Sequence, residues 1–590
     1  MTVDRKSIVL VVLLAVVILF YWQILEFLGL HEPAPEQPAQ TTEQVDTATA
    51  EQPPPQQQPT DTQPTRAAEP TGDLPSLLTD TTGAVAKQTD TLPFMAEQAG
   101  VIDTIVVETD TYEVILINQG GGPVSMLLKE HSYRDGEPIE MLPEPMNVSP
   151  EASFAQGAVM TGQLPFESSL ASGTYNVSGQ PLEVEYRYVA PNGVEFFKRY
   201  WFHRDKYSFD MVLEVRNGDR LGIDRKYYMV WNNPPPVTEP DPKTDYNEMN
   251  AVAYMGGSRE QLDDYEDSQL DQTLLGTTSW AGVRSKYFTA TMIPRSQLAE
   301  GVRAEGRKWK VQTPDGSMEK RDVTVALEMP FAGSGAVTDS FTVFVGPMDY
   351  FLMSDYEVGL EDMLGIGTTP VVGWIIKPFA WIVMWGLPKL FSVVGNYGWV
   401  IIIFALLIKL VTMPLSLKSF KSMQAMKDLQ PKIEELKKKH SKNPQAMNQE
   451  MMKLYKKHGV NPLSGCLPIL LQMPLLFAMF TVFRSTILLR DAPFIWFIQD
   501  LSHGATGFTD PYIVLVIIMV GAQFLSQHLT MASSTQQNKA LMYMMPPVMG
   551  FFLYSLPAGL ILYWICFSVF SLLDWLVYKR DKKNMQVQPA

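Results

Sequence analysis

Two hydrophobic patterns divide this chain, and they change at definite places. Met1–Leu30 carries Arg5 and Lys6, then runs apolar from Ile8 to Phe20 and on through Tyr21 and Trp22. That predicts a membrane anchor over 1–30. No small-residue cleavage site of the A-x-A kind follows, which favours an anchor over the alternative, a long signal peptide. From His31 to about Thr91 the pattern vanishes into Pro, Gln, Thr, Ala and acids, with PPPQQQP at its centre. Such a segment buries too little apolar surface to fold, so 31–91 reads as an extended tether.

Over 92–350 the period is two. Ile105–Asn118 and Lys206–Asn217 alternate apolar and polar, and in the second Tyr207, Phe209, Met211, Leu213 and Val215 share a face. Turn signals separate the runs at Pro191-Asn192-Gly193, Asn217-Gly218 and Pro314-Asp315-Gly316. This predicts an all-β sandwich or open barrel. Asp241–Asp271 reads as an acidic surface loop interrupting it.

Beyond this region long apolar runs return. Trp374–Val394 mixes Trp374, Phe379, Trp381, Trp385 and Phe391 with Lys377, Lys389 and two prolines. It looks too broken to span, so 370–395 is expected to be an interfacial amphipathic helix. Asn396–Ser416 is apolar from Trp399 to Met413 except at Lys409 and Thr412. Further runs predict spans over 462–485, 511–530, 541–556 and 560–578. With the anchor and 396–416 the expected total is six spans. Between them, 417–461 predicts a helical hairpin, about Lys418–His440 (broken near Pro431) and Pro444–His458. Asn443 is its expected N-cap and Gly459 its stop. The segment 486–510 is a loop, and 579–590 a basic tail.

Charge gives these runs an orientation. The chain carries −16 overall, but Gly29 to Gly395 carries −26, Leu417–Asn461 carries +7, and the tail from Lys579 carries +3. By the positive-inside rule the hairpin and both termini are cytoplasmic and the β-domain lies across the membrane. The two cysteines, Cys466 and Cys566, both sit in apolar runs, so the β-domain has no disulfide to form.

Sought chemistry is missing. Seven dispersed histidines, with no H-E-x-x-H, C-x-x-C, Walker loop or G-x-S-x-G, argue against an enzyme, a metal site, a cofactor or a small-molecule substrate. What stands out is polar character within the spans. A lysine in such a helix costs about 2.5–3.5 kcal/mol, so Lys409 is a functional candidate, unless its stem snorkels to the interface near Ser416. Pro468, Gln472 and Pro474, Gln523, Gln527 and His528, and Asp574 could line a wet concavity. Equally, Gln and Pro can simply join helices, and Asp574, close to Lys579, reads as a headgroup-level residue. The basic hairpin suits anionic lipid or ribosomal RNA, and Met423, Met426, Met447, Met451 and Met452 give it an adaptable apolar face, or else an ordinary core.

The stretch Asn461–Ala478 (NPLSGCLPILLQMPLLFA), the charged helix before it and Leu429–Lys439 (LQPKIEELKKK) resemble the YidC/Oxa/Alb family of membrane protein insertases. The anchor and acidic β-domain resemble its Gram-negative form. The resemblance covers Trp374–Lys583 closely. It implies a polytopic α-helical membrane protein of six spans with a five-helix insertase core. It also implies an all-β periplasmic domain, a β-supersandwich similar to galactose mutarotases. The implied function is insertion and chaperoning of inner-membrane proteins, alone or with the Sec translocon, from a multi-pass position in the bacterial inner membrane with both termini cytoplasmic. Implied partners are nascent membrane proteins, Sec components, the translating ribosome and anionic lipids. Lys409, Gln472 and Gln527 would line the substrate groove, and Met473, Phe477, Phe552 and Leu556 a hydrophobic slide. Lys421, Met426, Lys437, Met447 and Met451 would form a cytoplasmic docking surface. The family usually has Arg where this chain has Lys409, which keeps the charge and loses the guanidinium fork. The competing reading is an ion-coupled transporter or channel with an intramembrane lysine. It would bring inverted repeats and further buried acids; no repeat is visible, and Asp574 is the sole acid of the last five spans. A binding module on a passive anchor would leave those five spans unexplained.

Overall fold

The computed structural model describes residues 102–587, apart from 145, 222–224, 314–315, 332–334, 368–372, 441–443, 460–466 and 531–535. The expected anchor and tether lie outside these residues, as do Asn443, Cys466 and the last residues of the tail.

The period-two region folds into a five-stranded and a fifteen-stranded sheet. The Ile105–Asn118 alternation is a hairpin of Thr104–Glu108 and Tyr112–Ile117. Thr109 closes it, its hydroxyl accepting from the amides of Thr111 (3.2 Å) and Tyr112 (2.9 Å). In the strand Ser208–Arg216 and the residue before it, Tyr207, Phe209, Met211, Leu213 and Val215 are all buried, as the alternation requires. The turn at Asn192-Gly193 joins Leu182–Val189 to Glu195–Phe202, with Gly193 at φ 82°.

The acidic stretch is a correction. Asp241–Asp271 is not a loop: it holds a helix, Pro242–Glu248, then strands Asn250–Met255 and Ser258–Leu262. Asp241 caps the helix by accepting from the Lys243 amide (3.2 Å), and a proline opens it. The hairpin turns at Gly256 and Gly257, both at positive φ, where a side chain would be strained. It joins the large sheet through Gln269–Arg284.

The helical part begins with α1, Gly373–Val394, which is continuous for 22 residues despite Pro378 and Pro388. Its Ile376, Ala380, Val383 and Leu387 are buried, while Trp374, Trp381 and Trp385 are exposed. Next comes α2, Tyr397–Asp428, 32 residues long. The expected break between span and hairpin at about residue 417 is absent. No glycine lies there to end the helix, and Pro414 is accommodated inside it. Near Pro414 the Thr412 hydroxyl donates to the Lys409 carbonyl (3.2 Å) and the Ser416 hydroxyl to the Thr412 carbonyl (3.2 Å). The hairpin proper is α3, Gln430–Lys439, against α4, Pro444–Lys457, stopped by Gly459 at φ 64°. Then follow α5 (Leu467–Ser485), α6 (Ile513–Thr530), α7 (Gln536–Leu553) and α8 (Ala558–Val587). Tyr397–Ser419 and Ala558–Val577 are each long and apolar enough to cross a membrane, and Ile513–Leu529 and Tyr543–Leu553 are shorter apolar helices.

α8 packs on α2 and α6, α5 on α1, and α7 on α6. Val411 of α2, Ile517 of α6, Phe551 of α7 and Leu576 of α8 are exposed, so the outward surface is apolar, as lipid requires. The loop Thr486–Asp510 gathers the helix ends. The Asn396 side chain donates to the Pro493 carbonyl (2.9 Å), and the amides of Ala558 and Gly559 donate to the carbonyls of His503 (2.7 Å) and Leu501 (2.8 Å). The same loop meets the β-domain through buried Arg490, which contacts Glu239 (3.3 Å) and the Ser132 carbonyl (3.0 Å), and through Arg134, which pairs with Asp500.

Candidate functional site

Lys409 lies in the middle of α2 and is only 5 % exposed. Its ammonium meets the carboxylate of Asp574 on α8 at 2.6 Å and donates to the Ser571 hydroxyl at 3.0 Å. The Phe567 ring lies beneath it at 4.7 Å. Residues 567, 571 and 574 recur at helical spacing, so one face of α8 supplies all three contacts. Asp574 is 1 % exposed, so the helices enclose it. The charge of Lys409 is paired inside the bundle. Ser571 is held in turn by donating to the Phe567 carbonyl (2.8 Å).

Beside this pair, α6 is stitched to α8 by Gln523, whose side-chain oxygen accepts from the Trp564 indole (3.2 Å) and the Ser568 hydroxyl (2.8 Å). Gln527, one turn along, is half-buried, and its side-chain oxygen has no partner among the described residues. One oxygen of Asp574 and the hydroxyl of buried Tyr563 are in the same condition. Buried polar atoms of this kind are ordinarily completed by water or by another chain.

Of the groove residues expected from sequence, Lys409 is at this centre and Gln527 lies on its neighbour α6. Gln472 is half-buried on α5, a helix that packs chiefly on α1. The slide residues separate. Met473 and Phe477 are half-buried on α5, Phe552 is exposed at the end of α7, and Leu556 follows in the turn into α8. On the hairpin, Lys421 is exposed, Met447 and Met451 are half-buried on α4, and Met452 is exposed; the side chains of Met426 and Lys437 fall outside the description. The α3–α4 hairpin is closed by Lys432 against His458 (3.2 Å).

Sequence reasoning missed Asp574 as a partner. The signal was present: a single acid in an otherwise apolar span, in a chain with a single mid-span lysine. It also missed the seam of Arg490, Glu239, Lys286 and Arg134. At that seam burial lowers the His131 pKa, helped by the Arg490 charge beside it, and Lys286 pairs with Glu239 at 3.2 Å.

Comparison with known proteins agrees with this layout. A family profile described as the YidC periplasmic domain matches residues 104–382, and one described as a 60Kd inner membrane protein matches residues 389–585. The membrane protein insertase YidC of Chlorobaculum tepidum is 34% identical over 507 residues, 83% of this chain and 84% of that protein. That of Chlorobium luteolum is 34% identical over 496 residues, 81% and 83% of the two chains. A crystal structure of an active YidC insertase with its first transmembrane domain resolved is 19% identical, covering 82% of this chain and 93% of that one at a TM-score of 0.33, too low to argue from.

Proposed function

The chain belongs to the YidC family of membrane protein insertases, and we propose that it places client proteins in the membrane through the polar centre between α2 and α8. It is an inner-membrane protein with a periplasmic β-domain, and the family's activity is insertion, not enzymatic catalysis. The observation that carries the reading is the buried Lys409–Asp574 pair, set between apolar helices beside unpartnered polar atoms.

In this reading six spans, counting the anchor, leave both termini and the hairpin cytoplasmic. A nascent segment docks on the hairpin near Lys421, Met426, Lys437, Met447 and Met451, where basic and soft apolar groups alternate; the ribosome and anionic lipid use the same charge. A short hydrophilic flank then enters beside Lys409, Gln472 and Gln527, where polar partners reduce its desolvation cost. The apolar segment leaves past Met473, Phe477, Phe552 and Leu556 into lipid. Transfer at about 25 cal/mol per Å² of apolar surface drives that step without a nucleotide. Clients reach the site directly or from the Sec translocon.

The test uses purified full-length protein in vesicles and a small single-span client. Protease protection of the client should depend on the protein, and deletion of 421–458 should reduce it to background. Full activity without the hairpin would remove the docking role. The buried ion pair also suits an ion-coupled transporter, the one observation that favours that reading. Ion flux through client-free vesicles, with no client insertion, would establish that reading instead.

A further inference from the structure

Two of the three N–H groups of Lys409 have acceptors, Asp574 and Ser571, and the Phe567 ring lies against the ammonium. An open acceptor lies on the other partner. One carboxylate oxygen of Asp574 is buried and has no hydrogen-bond partner among the described residues. The Ser416 hydroxyl, 3.2 Å from the Thr412 carbonyl, is also within hydrogen-bonding reach of the Asp574 carboxylate, so at most one weak local donor competes for that oxygen. A buried acceptor left in this condition is costly, and the group that relieves it is a donor.

We propose that Asp574 is the built-in counter-ion of the groove and sets its specificity for client flanks. This rests on the insertase reading and adds a selection rule to it. The paired site is close to neutral and presents an acceptor. Client groups with N–H donors, such as backbone amides, Asn or Lys, bond to the open Asp574 oxygen while the Lys409 pair stays intact. An acidic flank must first displace Asp574 from Lys409, and so exchanges one buried ion pair for another with little net gain. Lys409 therefore does not act as a free cation that selects acidic clients. Asp574 suppresses that selectivity, which widens the range of flanks the site accepts.

The test compares one single-span client carrying Asp-Asp, Asn-Asn or Lys-Lys in its translocated flank. Full-length protein is reconstituted in vesicles of phosphatidylethanolamine and phosphatidylglycerol, and insertion is read as the protease-protected fraction. In the wild type, the Asp-Asp flank should insert no better than the Asn-Asn or Lys-Lys flank. In Asp574→Asn the lone Lys409 charge should favour Asp-Asp over Asn-Asn by about fivefold or more, the lower end of ordinary coupling between sites. In Lys409→Gln the lone carboxylate should shift the preference to Lys-Lys by a similar factor, and this arm decides the matter if Asp574→Asn does not assemble. Flank ratios unchanged from wild type in either variant overturn the proposal, as does a wild type that already favours Asp-Asp fivefold. A wild type that inserts none of the three overturns the insertase reading itself, and this rule with it.

Discussion

Lys198 puts the physics of burial in its plainest form. It sits on the strand Glu195–Phe202 with no exposed surface, its ammonium donating to the Gly120 carbonyl (2.7 Å) over the Phe166 ring (5.2 Å). Burial brings its pKa down to about 7, against the opposing pull of Glu151. Glu151, also buried, is pushed up by desolvation although it accepts from the Gly162 amide (3.0 Å) and the Asn232 side chain (2.7 Å). From pH 7 up to the ordinary lysine value of 10.5 the unfolded chain binds more protons at this site than the folded one, so stability rises with pH. Glu151 has the opposite sign: just above its ordinary 4.5 the folded chain holds the extra proton, so stability falls as pH rises. The thermal midpoint of the full chain in detergent should therefore rise from pH 7 to 9. In Lys198→Met/Glu151→Gln that rise should be lost; a slope equal to wild type would show that other groups cause it. Nothing in the sequence distinguished Lys198 from other lysines, because strand alternation gives its face and not the depth of cover above it. Lys409 is legible because thirteen apolar residues between Trp399 and Met413 isolate it, with Thr412 the one other polar side chain. Its partner is not, since only packing brings α8 to α2.

At the scale of elements, periodicity marks the extent of the β-domain, two of its alternating stretches (Ile105–Asn118 and Lys206–Asn217) and most of the helices, and misplaces element ends. Asp241–Asp271 reads as loop because its acids mask one buried strand, Asn250–Met255, and because that strand's partner, Ser258–Leu262, lies at the margin of the sheet, where only Leu262 of its five residues is buried. Edge strands need no apolar face, so alternation is weak there. The run from Tyr397 to Asp428 was divided at the change from apolar to basic, yet backbone hydrogen bonding does not register that change, and one helix carries the groove lysine into the base of the hairpin. The start of that helix is fixed by a close approach. A Cβ on Gly398 would fall 2.0 Å from the Phe494 ring, which also meets Trp399 edge-on at 5.4 Å. Gly398→Ala should therefore overpack this contact and destabilise by about 1–3 kcal/mol. The thermal midpoint in detergent should fall, and Phe494→Ala in the same chain should recover part of the loss. If the double variant melts lower than the sum of the two single losses, the clash is not the cause.

The whole molecule depends on how the periplasmic domain meets the helices. From sequence the two are separable: an acidic β-domain, then a membrane core, with nothing to suggest contact. The structure joins them at the loop Thr486–Asp510, and the residues of the joint do not carry equal weight. The Arg134 side chain is 37 % exposed; its partner Asp491 is exposed too, and its partner Asp500, though buried, is also held by the Ser502 amide and hydroxyl (both 2.8 Å) and so keeps donors when Arg134 is removed. The Arg490 side chain is 4 % exposed and bonds to Glu239, itself buried and shared with Lys286. Removing one member of a buried pair costs about 3–5 kcal/mol, because the other charge stays behind. Arg490→Ala should therefore loosen the seam where Arg134→Ala hardly does. Hydrogen exchange on the full chain in detergent reads this directly. The amides of Leu501, Ser502 and Ala505, bonded within the loop or to the Tyr554 carbonyl, should exchange faster by tenfold or more in Arg490→Ala. Those of Glu195–Phe202, inside the large sheet, should not change. Because the same loop holds the starts of α2 and α8, loosening it should also lower client insertion with the Lys409–Asp574 pair untouched. Equal exchange and equal insertion in Arg490→Ala and wild type would mean that the domain only rests on the core and gives it no support.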